Sequence, residues 1–284
     1  MTRYVLGLFK LRIGFMIMIT ALVGLVVTPG PALGWERVLT LALAVFVSSA
    51  SAGAFNQYYE RGSDHLMART RNRAFVTGAL PESPGWWVLM AVMLLVAVST
   101  TAWVLNPVSA FFVFLGAFFY AVVYTVWLKR RSWLNIVVGG MAGSFAVLAG
   151  GAAVTPQIGP LPLLLAAVLF LWTPPHFWSL AIANQSEYAA AGIPMLPVVV
   201  GTPRAAHIVF WSTVALALTA LLPVFFGAGW VYLAGASAGG SYFVYKSWRL
   251  AKAPSRETAM AAFFASLVQL SLLLLAALID GLAR

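Results

Sequence analysis

The chain has 284 residues, of which 62% are hydrophobic and only 8% charged, with a formal net charge of +10. An ordinary soluble domain carries about 25% charged residues, so this composition excludes that class and makes the chain a polytopic membrane protein. With no cysteine present, disulfides, thiolate metal centres and CxxCH haem attachment are excluded as well.

Apolar runs fall near 13–29, 37–55, 86–105, 107–128, 134–154, 161–182, 205–226, 228–247 and 259–279. That predicts an all-α bundle of about nine transmembrane helices, each close to the ~20 residues a bilayer needs. Membrane β-strands would be about ten residues long with alternating polarity, a pattern that is missing here. The first run follows basic residues, as in a signal peptide. It is long and lacks a small-residue cleavage site, which predicts an uncleaved first span. The breaks at 29–35, 106–107, 156–162 and 227–230 carry few charges and read as tight outside turns. The longest inside loops, 60–84 and 183–204, follow spans two and six. Their four-span separation predicts two four-helix halves plus a ninth helix, within one domain covering 1–284.

An inside N-terminus puts almost all of the positive charge on the inner face. Of 17 basic residues, only Arg37 and Arg284 fall outside. This is the positive-inside asymmetry of an inner (plasma) membrane protein, with active-site loops and N-terminus cytoplasmic and the C-terminus outside. It explains the net charge without any nucleic-acid partner; anionic membrane lipid is the natural counterpart. Small residues cluster at 48–53, 139–143, 150–151 and 235–240, either for close helix packing or to leave room for a bulky ligand.

The loop after span two departs from simple anchoring. It reads NQYYERGSDHLMARTRNR from Asn56 to Arg73. Asn56, Glu60 and Asp64 are spaced by four, which on a helix places them on nearly one face. A solvated helix end would need neither the Asn nor the spacing. Two carboxylates and an amide can hold Mg²⁺ together with substrate phosphates and water. Arg69 and Arg73, also four apart, can either pair with Asp64 or clamp a diphosphate. Arg71 would point elsewhere.

Further on, Tyr120, Tyr124 and Trp127 run toward Lys129, Arg130 and Arg131. They read as an interfacial aromatic belt or as an aromatic wall able to stabilise a cation. His176 follows Pro174 and Pro175, which predict a kink in span six, and it lies among Trp172, Phe177 and Trp178. It is either a packing histidine or a ligand or acid–base group. Glu187 and Tyr188 add one more carboxylate and a phenol.

Taken in order, these motifs resemble those of the intramembrane aromatic prenyltransferases of UbiA type, and among them the branch that farnesylates haem. The N-x-x-x-[DE]-x-x-x-D element stands at Asn56, Glu60 and Asp64. M-x-R-T-x-x-R stands at Met67, Arg69, Thr70 and Arg73, and WTPPHFW covers 172–178. EYAAAGIPMLPVV begins at Glu187, and the tail 256–280 is similar to the family's last span. The chain departs from the usual pattern at Leu11, where a Lys-Pro-Arg opening has proline, and at Gln57, Glu60 and Gly62. At Ser186-Glu187 a single carboxylate replaces an acidic pair.

The resemblance implies a Mg²⁺-dependent transferase that moves farnesyl from farnesyl diphosphate to a vinyl group of haem B, making haem O. It implies Asn56, Glu60, Asp64 and Glu187 as metal ligands. Asn56, Glu60, Asp64, Arg69 and Arg73 would be catalytic. Lys129, Arg130, Tyr124, His176, Glu187 and Tyr188 would bind substrate. Haem A synthase or oxidase assembly proteins are the implied partners. The alternatives are a sister prenyltransferase acting on a quinone precursor or chlorophyllide, a non-catalytic assembly protein, and a polytopic transporter. A transporter should place its ionisable groups near span centres, whereas these lie at the inside ends.

Overall fold

The computed structural model describes residues 2–283, so Arg284 lies outside the described residues. The described residues form helices joined by turns: α1 (Thr2–Leu8), α2 (Leu11–Val27), α3 (Trp35–Glu60), α4 (Gly85–Val104), α5 (Pro107–Phe118), α6 (Asn135–Gly139), α7 (Met141–Val154), α8 (Pro160–Ala183), α9 (Gln185–Ala190), α10 (Leu196–Val200), α11 (Thr202–Thr219), α12 (Trp230–Lys252) and α13 (Arg256–Leu282). Every predicted apolar run coincides with a helix. Seven of the described helical segments, rather than nine, are long and apolar enough to cross a membrane by length and composition. Of the other two, α2 has 17 residues. The second, α12, is diluted by glycine, serine and tyrosine and ends in Lys246, Arg249 and Lys252.

Local chemistry sets the helix ends. Asn106 caps α5 by accepting from the Ser109 amide at 2.9 Å, with Pro107 in the first turn, where its missing N–H costs nothing. Ser255 and Thr258 form a reciprocal capping box at the start of α13. Helix α8 runs on through Pro174 and Pro175 to Ala183.

Six helices enclose a central space. Helix α2 packs on α3 and α7, α5 on α7, α7 on α8, and α8 on α13. Helix α13, the predicted ninth span, returns to α2 and closes the ring. The α2–α7 crossing depends on glycine. A methyl group at Gly150 would fall on the Ala21 carbonyl oxygen, and one at Gly24 on that of Val147. Small residues bring these backbones together because lipid offers helices no hydrophobic drive to associate.

Candidate active site

The ring encloses a chamber of about 460 Å³, inside the range of about 300–1,000 Å³ usual for small-molecule sites. Its wall is almost wholly apolar. Ala52 and Gly53 on α3 and Gly143 and Ala146 on α7 leave the space open. No neighbour lies within 4 Å of where a side chain at Gly143 would begin. Gly143 therefore makes room, while Gly139, Gly140 and Gly150 serve packing, since a methyl group at each would come closer than 3.0 Å to Tyr124, Thr173 or Ala21.

The polar cluster sits at one end of this chamber. Helix α3 stops at Glu60, and Asp64 opens a separate 3₁₀ turn, Asp64–Leu66. The expectation that Asn56, Glu60 and Asp64 share one helical face is thus corrected. The chain turns sharply after Glu60, whose carbonyl accepts from the Ser63 amide at 2.8 Å and from the Ser63 hydroxyl at 3.0 Å. The turn nevertheless returns Asp64 to its partners. Arg73 Nη1 lies 2.5 Å from Asp64 Oδ2 and 3.7 Å from Glu60 Oε2. Asn56 Nδ2 donates to Glu60 Oε2 at 2.9 Å and to Thr125 Oγ1 at 3.1 Å. The Lys129 ammonium donates to Glu60 Oε1. Asn56, Glu60 and Asp64 are all buried.

Arg69 and Arg73 do not form a helical pair either, because residues 67–77 are a succession of turns. Arg73 folds inward onto the acids. Arg69 is exposed but lines a second cavity of about 80 Å³ with Asp64, Tyr124, Lys129 and Tyr188. Arg71 and Arg130 are exposed. Glu187 stands apart from Glu60 and Asp64. Its Oε2 accepts from the Ala68 amide at 3.2 Å and ties the second inside loop to the first. Phe177 lines both cavities, so the small polar one and the large apolar one meet at its ring.

Residues 119–128 continue α5 with i→i+5 hydrogen bonding, a geometry that recurs at functional sites. The wider turn brings Tyr120 and Tyr124 into a stack, with centroids 5.7 Å apart and planes 11° apart. Trp127 does not join them; it is exposed and meets Phe118 edge-on. Gly139 is required beneath Tyr124, since a methyl there would come within 2.8 Å of the ring.

Sequence reasoning counted Lys10 only as an inside charge. Its ammonium donates to Asn56 Oδ1 at 2.6 Å and to the Tyr120 hydroxyl at 2.9 Å, and it lines the chamber. The backbone of Lys10 takes the left-handed conformation (φ 49°), unusual for a residue other than glycine. Such a position directly before an apolar run, four residues ahead of a glycine, carries no distinctive sequence signal. Thr125 was missed for the same reason: its role arises only where two helices meet.

Two acids, Glu60 and Asp64, thus face four bases, Lys10, Arg69, Arg73 and Lys129, an excess of two positive charges when all are ionised. Burial raises the Asp64 carboxyl above its ordinary range, with Arg73 opposing the rise. Burial lowers Lys129, with Glu60 opposing. Burial and, next, Arg73 bring Lys10 down to about 7. Burial raises the Tyr188 phenol, against the pull of Arg69. Among the described residues no three His, Cys, Asp or Glu side chains converge. The chain therefore offers two hard carboxylate oxygen donors, leaving other positions of a metal octahedron to water and phosphate. That donor set fits Mg²⁺, which is ordinarily held by one or two carboxylates in just this manner.

Comparison with known proteins sets this arrangement in a family. The profile of the UbiA prenyltransferase family matches residues 17–272. The chain belongs to the UbiA prenyltransferase family. It is an integral, multi-pass membrane member. It is 52% identical, over 97% of its length and 96% of the relative's, to protoheme IX farnesyltransferase 2 of Paramagnetospirillum magneticum strain ATCC 700264 / AMB-1. Protoheme IX farnesyltransferase 1 of the same strain is 44% identical, with 98% of each chain covered. A UbiA homologue from Archaeoglobus fulgidus, solved bound to DMAPP and Mg²⁺, shares the fold with a TM-score of 0.73 at 15% identity, covering 95% of this chain and 98% of that one.

Proposed function

We propose that this UbiA-family protein transfers farnesyl from farnesyl diphosphate to a vinyl group of haem B, producing haem O and diphosphate. The observation that carries the reading is the buried acid–base cluster set directly against a large apolar chamber, in a chain half identical along its whole length to a protoheme IX farnesyltransferase. Diphosphate belongs at the cluster, and a long prenyl chain and a porphyrin plate belong in the chamber.

Glu60 and Asp64, with Asn56 beside them, would hold Mg²⁺, which neutralises charge on the leaving diphosphate. Arg73 and Lys129 then turn from the acids to phosphate oxygens, joined by Lys10 and Arg69, so the excess positive charge meets the diphosphate. Arg130, exposed at the same rim, meets the incoming substrate. Tyr124 and Tyr120 face the prenyl carbon as its bond to oxygen breaks, their π faces stabilising the allylic cation. C1 of the farnesyl group bonds to the terminal vinyl carbon of haem. The cation passes to the adjacent carbon, water adds there as hydroxyl, and its proton leaves with the diphosphate. The apolar wall delays water until the carbon–carbon bond has formed. Tyr188 helps close the small cavity over the phosphates, and Glu187 holds the two loops together or supplies a further metal oxygen. His176 serves the haem side.

In this reading residues 1–284 act as one prenyltransferase domain in a bacterial inner membrane. The N-terminus and both site loops are cytoplasmic, the C-terminus is outside, and haem O passes to haem A synthase or oxidase assembly proteins. The deciding experiment incubates purified protein with haem B, farnesyl diphosphate and Mg²⁺ and seeks haem O by mass. Haem O absent under conditions that prenylate a quinone precursor would replace this reading with the sister enzyme.

A further inference from the structure

His176 sits in the chamber wall on α8, buried, with its imidazole held on every side but one. Trp172 stacks on one face at 4.2 Å and 19°, and Phe263 of α13 on the other at 4.6 Å and 27°. Phe177 meets it edge-on at 4.9 Å. In the ring plane, Nδ1 lies 2.6 Å from Ser266 Oγ.

Ser266 decides which ring nitrogen carries the proton. Its hydroxyl has one hydrogen, and the Phe263 carbonyl, 2.6 Å away, can only accept it. With that hydrogen on the Phe263 carbonyl, the oxygen accepts from His176, the arrangement in which the imidazole proton sits on Nδ1. Nε2 is left with a bare lone pair. A second bond, from Trp172 Nε1 to the Ser266 carbonyl at 2.9 Å, fixes the stacked indole to the same residue. Nε2 has no hydrogen-bond partner, yet it is not among the sealed unpaired atoms of the interior. It opens into the chamber, which His176 lines. A histidine present only for packing has no reason to aim an unpaired acceptor into an apolar space while three rings and a hydroxyl hold it still. Fixing one imidazole nitrogen by a hydrogen bond so that the other is free for a metal is the usual construction of a histidine ligand.

We propose that His176 Nε2 binds the iron of the haem substrate axially, and that Ser266 is the positioning residue that fixes its tautomer. Ligation sets the plane and depth of the porphyrin in the chamber. This inference rests on the haem reading above and adds to it a bond to iron. It forms no other bond and needs no redox step.

The test is a haem titration of the full-length protein in detergent, followed by Soret absorption and resonance Raman, without farnesyl diphosphate. The wild type should give an imidazole-ligated spectrum. His176→Ala should lose that signature and regain it with added imidazole, and His176→Met should give a thioether-ligated spectrum. Ser266→Ala should weaken haem binding by about tenfold, and Ser266→Thr should largely restore it. Inorganic diphosphate binding, unchanged across the series, checks that each variant is folded. Identical spectra for wild type and His176→Ala overturn the proposal, and if that wild type still makes haem O, the farnesyltransferase reading stands alone. A wild type that binds no haem and makes no haem O sinks both.

Discussion

The Lys10 ammonium lies 2.6 Å from Asn56 Oδ1, joining the start of α2 to the last turn of α3 at the boundary between charged rim and apolar chamber. Lys10 ionises near 7 when folded and near 10.5 when free. Between those values the unfolded chain binds the additional proton, so this residue makes stability rise with pH across that window. Diphosphate affinity should move the other way. Lys10 is charged below 7 and discharges as pH rises through it, so metal-free binding of inorganic diphosphate should weaken by about tenfold, the worth of one charge-assisted hydrogen bond. Lys10→Arg stays charged and should remove that step, while the ligand's own ionisation is common to both proteins. Isothermal titration from pH 6 to 9 checks it, and an unchanged inflection in Lys10→Arg would assign the step to another group.

Asp64→Ala should reduce product formation at least a hundredfold, the scale expected when a group that stabilises transition-state charge is removed. The protein should remain inserted, because Asp64 lies in a turn beyond the end of α3 and its loss leaves Arg73 with Glu60, 3.7 Å away, as counter-ion. Glu60→Gln should be more disruptive, since Glu60 receives Lys129 and Asn56 and lies close to Arg73. Turnover assays beside size-exclusion profiles separate lost chemistry from lost fold. Wild-type turnover by Asp64→Ala would remove that carboxylate from the mechanism.

Chelation offers a test of the donor set. With two carboxylates and no third acid, histidine or cysteine converging among the described residues, the chain alone grips Mg²⁺ weakly and needs the diphosphate to complete the shell. EDTA should stop the reaction and excess Mg²⁺ restore it, while thermal stability without substrate should hardly change. Full turnover in chelator contradicts a metal-bound diphosphate; a large fall in melting temperature on chelation alone means a structural metal instead.

The bundle was legible in the sequence because each span declares itself by twenty or so apolar residues, and every predicted run became a helix. The site residues were legible as a set, since acids and arginines are conspicuous in so apolar a chain. Their geometry was not. Spacing by four predicts one helical face, but α3 ends at Glu60, and it is Arg73, recruited through a turn, that reunites Asp64 with Glu60. Lys10, Thr125 and Ser266 were invisible because each acts across a gap of 46 to 110 positions, through contacts that no local pattern encodes. Residues 119–128 were read as an ordinary span; nothing in an apolar stretch announces the wider turn that stacks Tyr120 on Tyr124.

Two glycines of α7 should separate packing from chamber. At Gly150 an added methyl group meets the Ala21 carbonyl oxygen, a backbone atom that cannot step aside, so Gly150→Ala must spread α2 from α7. Forced overpacking of this kind costs about 1–3 kcal/mol, and more where backbone must move. Thermal melting in detergent should fall, while activity per folded molecule is largely kept. Gly143 has open space where its side chain would begin and lines the chamber. Gly143→Ala should be tolerated, and Gly143→Phe should leave melting near wild type while raising KM for the bulky acceptor far more than for farnesyl diphosphate. The opposite pattern, a Gly143→Phe protein that melts early or turns over normally, would mean that the open volume between α3, α7 and α8 is not where the acceptor sits.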